Sequence, residues 1–373
     1  MPEQQRVLVV GGGIAGMSAA IAMVNAGHDV NLVDLDPECR SYGMGITVQA
    51  PTYRALGHLG LADRVAAAGF ACRGARVRLA NGTLIDEVLA HKLEPGLPDG
   101  GGIMRPKLHA IMADETRARG VTVRLGLGVD GVSASETAAE VVFSDRSRAA
   151  YDLVVGADGI YSTVRGLLFP DAPRPRFTGQ GAFRVLAARP PGLDMIETYL
   201  GNPIKAGVTP ISDSELYMFV LSPERHDDYL DHDRQIARLR EVLADFGGLI
   251  GEIRDTLGPD SRVVYRPLET LMLPRPWHRG RTILIGDAAH ATTPQLASGA
   301  GSAVEDGVLL ADYVTRAPDI ETALTEFTER RFDRCHHVVE SSVRLGEMEL
   351  GGVSGEAQGR LYGEALARLA EPA

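Results

Sequence analysis

Short apolar runs that stop at glycine turns are the dominant pattern along this chain, and such runs suit strands buried on both faces. Arg6–Val10 is the first. It leads through the turn Gly11–Gly13 to a small-residue helix predicted over Ala15–Ala26 and a second strand over Asp29–Asp34. Tyr151–Val155 and Thr282–Ile285 are two more such strands, the last leading to a helix from about Ala300 to Tyr313. Residues 174–273 alternate instead: Ala182–Ala188 and Leu216–Leu221 predict antiparallel strands, and Asp231–Phe246 an amphipathic helix. The tail predicts helices over Thr322–Leu345 and Ala357–Leu369, and Leu93–Gly102 is a Pro/Gly-rich loop. The expected fold class is α/β: a Rossmann-like domain assembled from 1–75, 101–173 and 274–320. Residues 76–100 and 174–273 are expected to form an inserted, mainly antiparallel β-sheet domain, and 321–373 the C-terminal helices.

Composition narrows the function classes. Hydrophobic residues at 45% and charged residues at 23% fit a globular enzyme. A formal net charge of −11 argues against a nucleic-acid partner, which needs a basic face, and against anionic membranes. Cys39, Cys72 and Cys335 stand far apart, a spacing that fits reduced thiols in a cytoplasm better than a disulfide framework or a metal site. Val7 to Gly27 carries no formal charge, but its glycines break it into a strand and a helix. No targeting segment and no membrane span are expected, and the protein is read as a cytoplasmic monomer or homodimer.

Gly11-Gly12-Gly13-Ile14-Ala15-Gly16 is a GxGxxG directly after a strand and opening a helix. In such a motif the first glycine makes the tight turn, the second admits a pyrophosphate, and the third allows close helix packing. The helix start offers unpaired N–H groups and a positive dipole to phosphates. Asp34 closes the second strand where an acid bonds a ribose 2′-hydroxyl, and it disfavours the 2′-phosphate of NADP. An adenine dinucleotide follows, with NAD and FAD both still open.

Two later junctions carry further motifs. One is Gly156-Ala157-Asp158-Gly159; the other is Gly286-Asp287-Ala288-Ala289-His290, followed by Pro294, Gly299-Ala300-Gly301 and Glu305-Asp306. With these the chain, from roughly Arg6 to Arg331, resembles the FAD-dependent aromatic hydroxylases. These are single-component flavin monooxygenases of the 4-hydroxybenzoate, salicylate and 6-hydroxynicotinate hydroxylase type. The resemblance implies a GR2-type Rossmann domain, FAD as cofactor, and NADH or NADPH and O2 as co-substrates. It also implies hydroxylation of a small activated aromatic or N-heteroaromatic substrate through a C4a-hydroperoxyflavin.

By the same resemblance Gly11, Gly13, Ile14, Ala15, Gly16 and Asp34 hold the ADP half of FAD. Arg105 contacts its ribose and pyrophosphate region, and Arg40 and Gly45 flank the segment leading towards the flavin. Asp158 lies near the pyrophosphate, and Gly286 and Asp287 meet the ribityl chain. Pro294 borders the oxygen-activating face of the ring, and Gly299, Ala300 and Gly301 present N–H groups to N1 and O2. Reduced flavin is negative there, so a helix start suits it.

Lys205, Tyr217 and Arg184 align with pocket-lining residues of the family, the two cations as candidate anchors for a carboxylate or phenolate. His290 reads as a brace of its turn more than as a base, and Thr47 offers no base where hydroxypyridine relatives can carry histidine. Asp34 stands where many relatives have Glu, and Ser298 where many have Gln. Gln295 replaces an acid found in urate-hydroxylating relatives, which counts against urate. A flavin-dependent halogenase is disfavoured because Trp277 is the only tryptophan. A flavin reductase of the same fold, or a non-catalytic flavin sensor, is separated by substrate-stimulated NADH oxidation with O2 uptake.

Overall fold

The computed structural model describes residues 4–41, 43–90, 93, 95–134, 137–225, 230–353 and 355–373. Its central sheet has six strands in the order His278–Arg279, Thr282–Leu284, Leu153–Gly156, Arg6–Val10, Asp29–Asp34, Thr122–Leu125. All neighbours are parallel except the His278–Arg279 hairpin. The apolar runs are buried on both faces, as their lack of alternation implies: Val7, Leu8, Val9, Leu153, Val154, Val155, Ile283 and Leu284 are fully enclosed. The helices Ile14–Asn25 and Gly299–Arg316 cover one another closely, since a Cβ on Gly307 would lie 2.5 Å from the Ala19 backbone N.

The predicted strand Tyr151–Val155 is divided. Tyr151 ends the strand Arg148–Tyr151, Leu153 begins the next, and between them the Asp152 carboxylate accepts the Arg6 N–H at 2.7 Å. The loop predicted over 93–102, of which Glu94 lies outside the described residues, ends as the strand Gly100–Met104. Its glycines serve close approach: a Cβ on Gly102 would overlap the Pro210 carbonyl and meet Thr209 Cγ2 at 2.7 Å. That strand and Gly45–Gln49 are thereby pressed against the larger antiparallel sheet.

This second sheet has seven strands in the order Val263–Thr270, Arg176–Ala188, Glu215–Pro223, Lys205–Pro210, Ile196–Leu200, Gly74–Leu79, Leu84–Leu89. The strict alternation of its central strands gives two different faces. Phe183, Val185, Val208, Met218 and Val220 point to one side, where the helices His232–Val242 and Gly248–Thr256 bury them with Ile236, Leu239 and Ile250. Arg184, Tyr217, Thr209 and Lys205 share the other side, set by the pairs Arg184↔Phe219 and Thr209↔Tyr217. The C-terminal helices run Ile320–Leu350 and Gly355–Ala370. Among the described residues no helix is long and apolar enough to cross a membrane.

Candidate active site

A cavity of about 650 Å³ opens at the carboxyl ends of the parallel strands, the place where open α/β sheets bind ligands. Gly11–Ile14, Asp34, Arg40, Arg105 and Ala157–Gly159 line it. Gly11 has φ +109°, and a Cβ there would overlap the Ala157 carbonyl, so this turn admits only glycine. At Gly13 an added Cβ would meet nothing within 4 Å. Gly13 is also the N-cap of the helix Ile14–Asn25 and gives it no side-chain cap. The free space and the free N–H groups together fit a phosphate.

Not every predicted cofactor residue faces the cavity with free polar atoms. The Asp34 carboxylate already accepts the N–H groups of Gly12 at 2.6 Å and Asp36 at 2.7 Å. Arg40 is half-exposed and paired with Asp36 at 3.2 Å. The Asp158 carboxylate bonds the Ser162 hydroxyl and the Val164 N–H at 3.0 Å, so it holds the start of the helix Thr163–Leu168. Arg165 then donates to the Ala288 carbonyl at 3.0 Å and the Ile160 carbonyl at 2.7 Å, tying the second motif to the third. Arg105 heads the helix Arg105–Ala118, with its side chain laid over Gly43.

The Gly286 turn has φ +59° and packs on the first motif, because a Cβ there would lie 2.7 Å from that of Ala15. Asp287 opens the short helix Asp287–His290 and is reached by water, yet protein surrounds it. That desolvation raises its carboxyl above the ordinary range, against the pull of His290 and Arg105. Behind the turn, Asp306 accepts the Gly286 N–H at 2.8 Å, bonds His290 Nε2 at 2.7 Å and accepts from Arg331 Nε at 2.7 Å. Asp306 and Arg331 are completely buried, and Glu305 joins Arg331 at 2.9 Å and Arg334 at 2.8 Å. Burial alone would raise the Asp306 carboxyl, but His290 and Arg331 bring it down to about 2. Burial alone would lower His290; the Cys335 sulfur and Asp306 outweigh it and leave its pKa raised. His290 thus braces the turn. Sequence reasoning passed over Arg331, whose partners lie more than twenty positions away.

Pro294 begins a 3-10 turn, Pro294–Leu296, followed by Ala297 at φ +50°, a left-handed conformation for a residue with a Cβ. Gly299, Ala300 and Gly301 form the first turn of the helix Gly299–Arg316, whose N-cap Ser298 leaves it without a side-chain cap. Gly301 itself answers to packing, since a Cβ there would overlap the Thr52 hydroxyl. Gly45 answers to packing too: its vacant side-chain position is filled by the ring of Tyr217.

On the face of the antiparallel sheet turned towards these loops, Tyr217 lies beside Thr47, whose hydroxyl sits 3.3 Å from the Thr209 hydroxyl. Desolvation raises the Tyr217 phenol, partly offset by Arg184. Arg184 has no hydrogen-bond or ion-pair partner among the described residues. Its guanidinium pKa is lowered first by desolvation and then by Arg105 and Arg266, while Tyr217 raises it. Lys205 differs: it is ion-paired with Glu349 of the C-terminal helix. Glu349 also accepts from Gln180 Nε2 at 3.0 Å, and Gln295 Nε2 donates to Gln180 Oε1 at 2.8 Å.

Comparison with known proteins agrees with this geometry. The family model for an FAD-binding domain matches residues 4–341. A Bacillus subtilis protein, YetM, assigned to the FAD-dependent monooxygenases, is 32% identical across 98% of this chain and 99% of its own length. The 2-heptyl-3-hydroxy-4(1H)-quinolone synthase of Pseudomonas aeruginosa is 32% identical across 92% of this chain and 90% of its own. The structure of Klebsiella pneumoniae HpxO complexed with FAD and uric acid superposes with a TM-score of 0.85 at 25% identity, over 98% of this chain and 94% of that one. The three glycine junctions, two lining one cavity and the third packed against them, and the match over nearly the whole chain place the protein in the FAD-binding family as an FAD-dependent monooxygenase of the aromatic-hydroxylase type.

Proposed function

We propose that the protein hydroxylates an electron-rich aromatic or N-heteroaromatic ring carrying an ionisable hydroxyl, with NADH or NADPH and O2 as co-substrates. The observation that carries this reading is Arg184: a desolvated guanidinium without a partner among the described residues, beside Tyr217, on the sheet face turned to the cofactor loops. A cation in that position lowers the pKa of a bound phenol and so raises the electron density of its ring. Bound FAD supplies hydride acceptance and oxygen activation. The chain's own contribution is binding and exclusion of water. Gly13 and the first turn of Ile14–Asn25 receive the pyrophosphate, with Arg105 beside it. Asp34, whose two oxygens each hold one backbone N–H, keeps lone pairs for a ribose hydroxyl. Asp287 meets the ribityl hydroxyls, and the first turn of Gly299–Arg316 supplies N–H groups to developing negative charge. Pro294 and the Tyr217 ring wall off the reacting ring from solvent.

The test is NADH and NADPH oxidation with a panel of phenols, hydroxypyridines and 4-hydroxyquinolines, read together with O2 uptake and the mass of the product. A substrate-stimulated rate with one oxygen atom gained supports the reading. Tight FAD binding with no stimulated oxidation across the panel removes it.

A further inference from the structure

The sheet face that carries Arg184 has a second cation at its other end. Along the strand Glu215–Pro223, Tyr217 pairs with Thr209 and Leu221 with Lys205. Four residues separate the two, so Lys205 sits roughly 13 Å along the face from Tyr217 at the usual strand rise. That span is long enough for a bicyclic ring. Gln295, directly after Pro294, closes this end from the loop side.

What distinguishes this end is a carboxylate delivered from outside the site. Glu349 lies in the last turns of the helix Ile320–Leu350, beyond the stretch 4–341 matched by the family model. It is buried, with 4% of its side chain exposed, and is ion-paired with Lys205, whose side chain is 16% exposed. Gln180 and Gln295 hold its second oxygen at 3.0 and 3.4 Å. The helix comes close enough only because residue 346 is glycine: a Cβ there would lie 2.8 Å from Gln180 Oε1 and 3.1 Å from Gln295 Nε2. A buried cation whose charge is matched and whose partner is itself hydrogen-bonded has little left to offer a ligand anion. Arg184, by contrast, has no ion-pair partner among the described residues.

We infer that Glu349 is a specificity-determining residue: by neutralising Lys205 it makes the far end of this sheet face select rings without a carboxylate, and its removal opens that end to aromatic carboxylates. This deepens the aromatic-hydroxylase reading and rests on the substrate face named there. Arg184, which has no ion-pair partner among the described residues, is left to serve the ring hydroxyl.

The experiment titrates oxidised holoenzyme with salicylate, an anionic ring, and with 4-hydroxyquinoline, a neutral one, following the perturbation of the flavin spectrum. FAD content and melting temperature are measured on each variant. Glu349→Gln keeps the shape and the hydrogen bonds but releases Lys205. Its salicylate affinity should rise relative to 4-hydroxyquinoline by about tenfold or more, the scale of one charge-assisted hydrogen bond. The gain should vanish in Lys205→Met/Glu349→Gln, and Lys205→Met alone, which strands the Glu349 charge, should shift the ratio the opposite way. A ratio within about threefold of wild type in Glu349→Gln, a gain that survives loss of Lys205, or no salicylate binding by either protein would each overturn the assignment. If Glu349→Gln does not fold, the shift in Lys205→Met decides. The binding ratio requires no turnover, so it can fail while oxygenation succeeds, and oxygenation can fail while the ratio shifts.

Discussion

The ring of Tyr217 occupies the side-chain position that Gly45 leaves vacant: a Cβ on Gly45 would overlap the ring's Cδ1 and Cγ. The aromatic ring on the antiparallel sheet is therefore located by a glycine of the segment leading to the cofactor. Gly45→Ala should push the ring off its position and cost about 1–3 kcal/mol, the range for overpacking a filled site. Ligand affinity should fall while FAD content stays near wild type. A melting curve, the flavin absorbance of the purified protein and a ligand titration check it; loss of FAD with unaltered ligand binding would reverse the assignment.

Arg184 leads to a less usual expectation. A desolvated guanidinium without a partner costs folding free energy, so Arg184→Met should leave the melting temperature unchanged or raise it. Substrate-stimulated NAD(P)H oxidation should fall by roughly 10²-fold or more, as when one preorganised charge is removed from a site. A destabilised variant with normal turnover would assign Arg184 a role in the fold alone.

Gly11 and Gly13 separate folding from binding within one motif. Gly11→Ala meets both a left-handed φ and the Ala157 carbonyl, so it should lower stability even without cofactor. Gly13→Ala meets no protein atom and should fold like wild type, while its methyl takes up the space left for the pyrophosphate. Apo-protein melting temperatures and FAD titrations read the two effects independently. A normal FAD affinity in Gly13→Ala would move the phosphate elsewhere.

The Asp306–His290 pair sets a pH window for stability. Asp306 has a carboxyl depressed to about 2, so its contribution is full above the unfolded carboxylate range and is lost as pH falls from about 4 to 2. His290 has a raised pKa, so its contribution is full below the ordinary histidine value and fades as pH rises through the folded one. The stabilisation from the pair is thus greatest between the two ranges, in mildly acidic solution. Asp306→Asn keeps an acceptor for the Gly286 N–H but strands the buried Arg331 charge. It should cost about 3–5 kcal/mol and flatten both limbs of the melting-temperature profile. A variant profile parallel to wild type at every pH would sink this account.

Much of the fold was legible locally. Asp29–Asp34 is a strand over the residues predicted, and the helix predicted over Ala15–Ala26 runs Ile14–Asn25, because apolar continuity and glycine turns are written in neighbouring residues. The helix Gly299–Arg316 outruns its prediction by three residues at the C-terminal end, since its later turns are held by packing more than by pattern. The strand Arg176–Ala188 likewise starts six residues before its alternation does, through a bulge between Phe177 and Gly181 that breaks the period of two.

The sequence by itself determined the three strand–glycine–helix junctions and the alternation that gives the second sheet two chemically different faces. Both follow from short-range geometry: where a chain must turn with φ > 0, and which side chains point the same way. Only the tertiary structure decided which of these residues have free polar atoms. Lys205 and Arg184 look alike as cations on strands, yet Glu349, 144 positions away, takes one and leaves the other. Gly45 and Gly301 look like cofactor glycines, yet Tyr217 and Thr52 fill the spaces beside them. A charge or a vacancy acquires its meaning from its partner, and the pairing of distant residues leaves no periodicity in the chain to read.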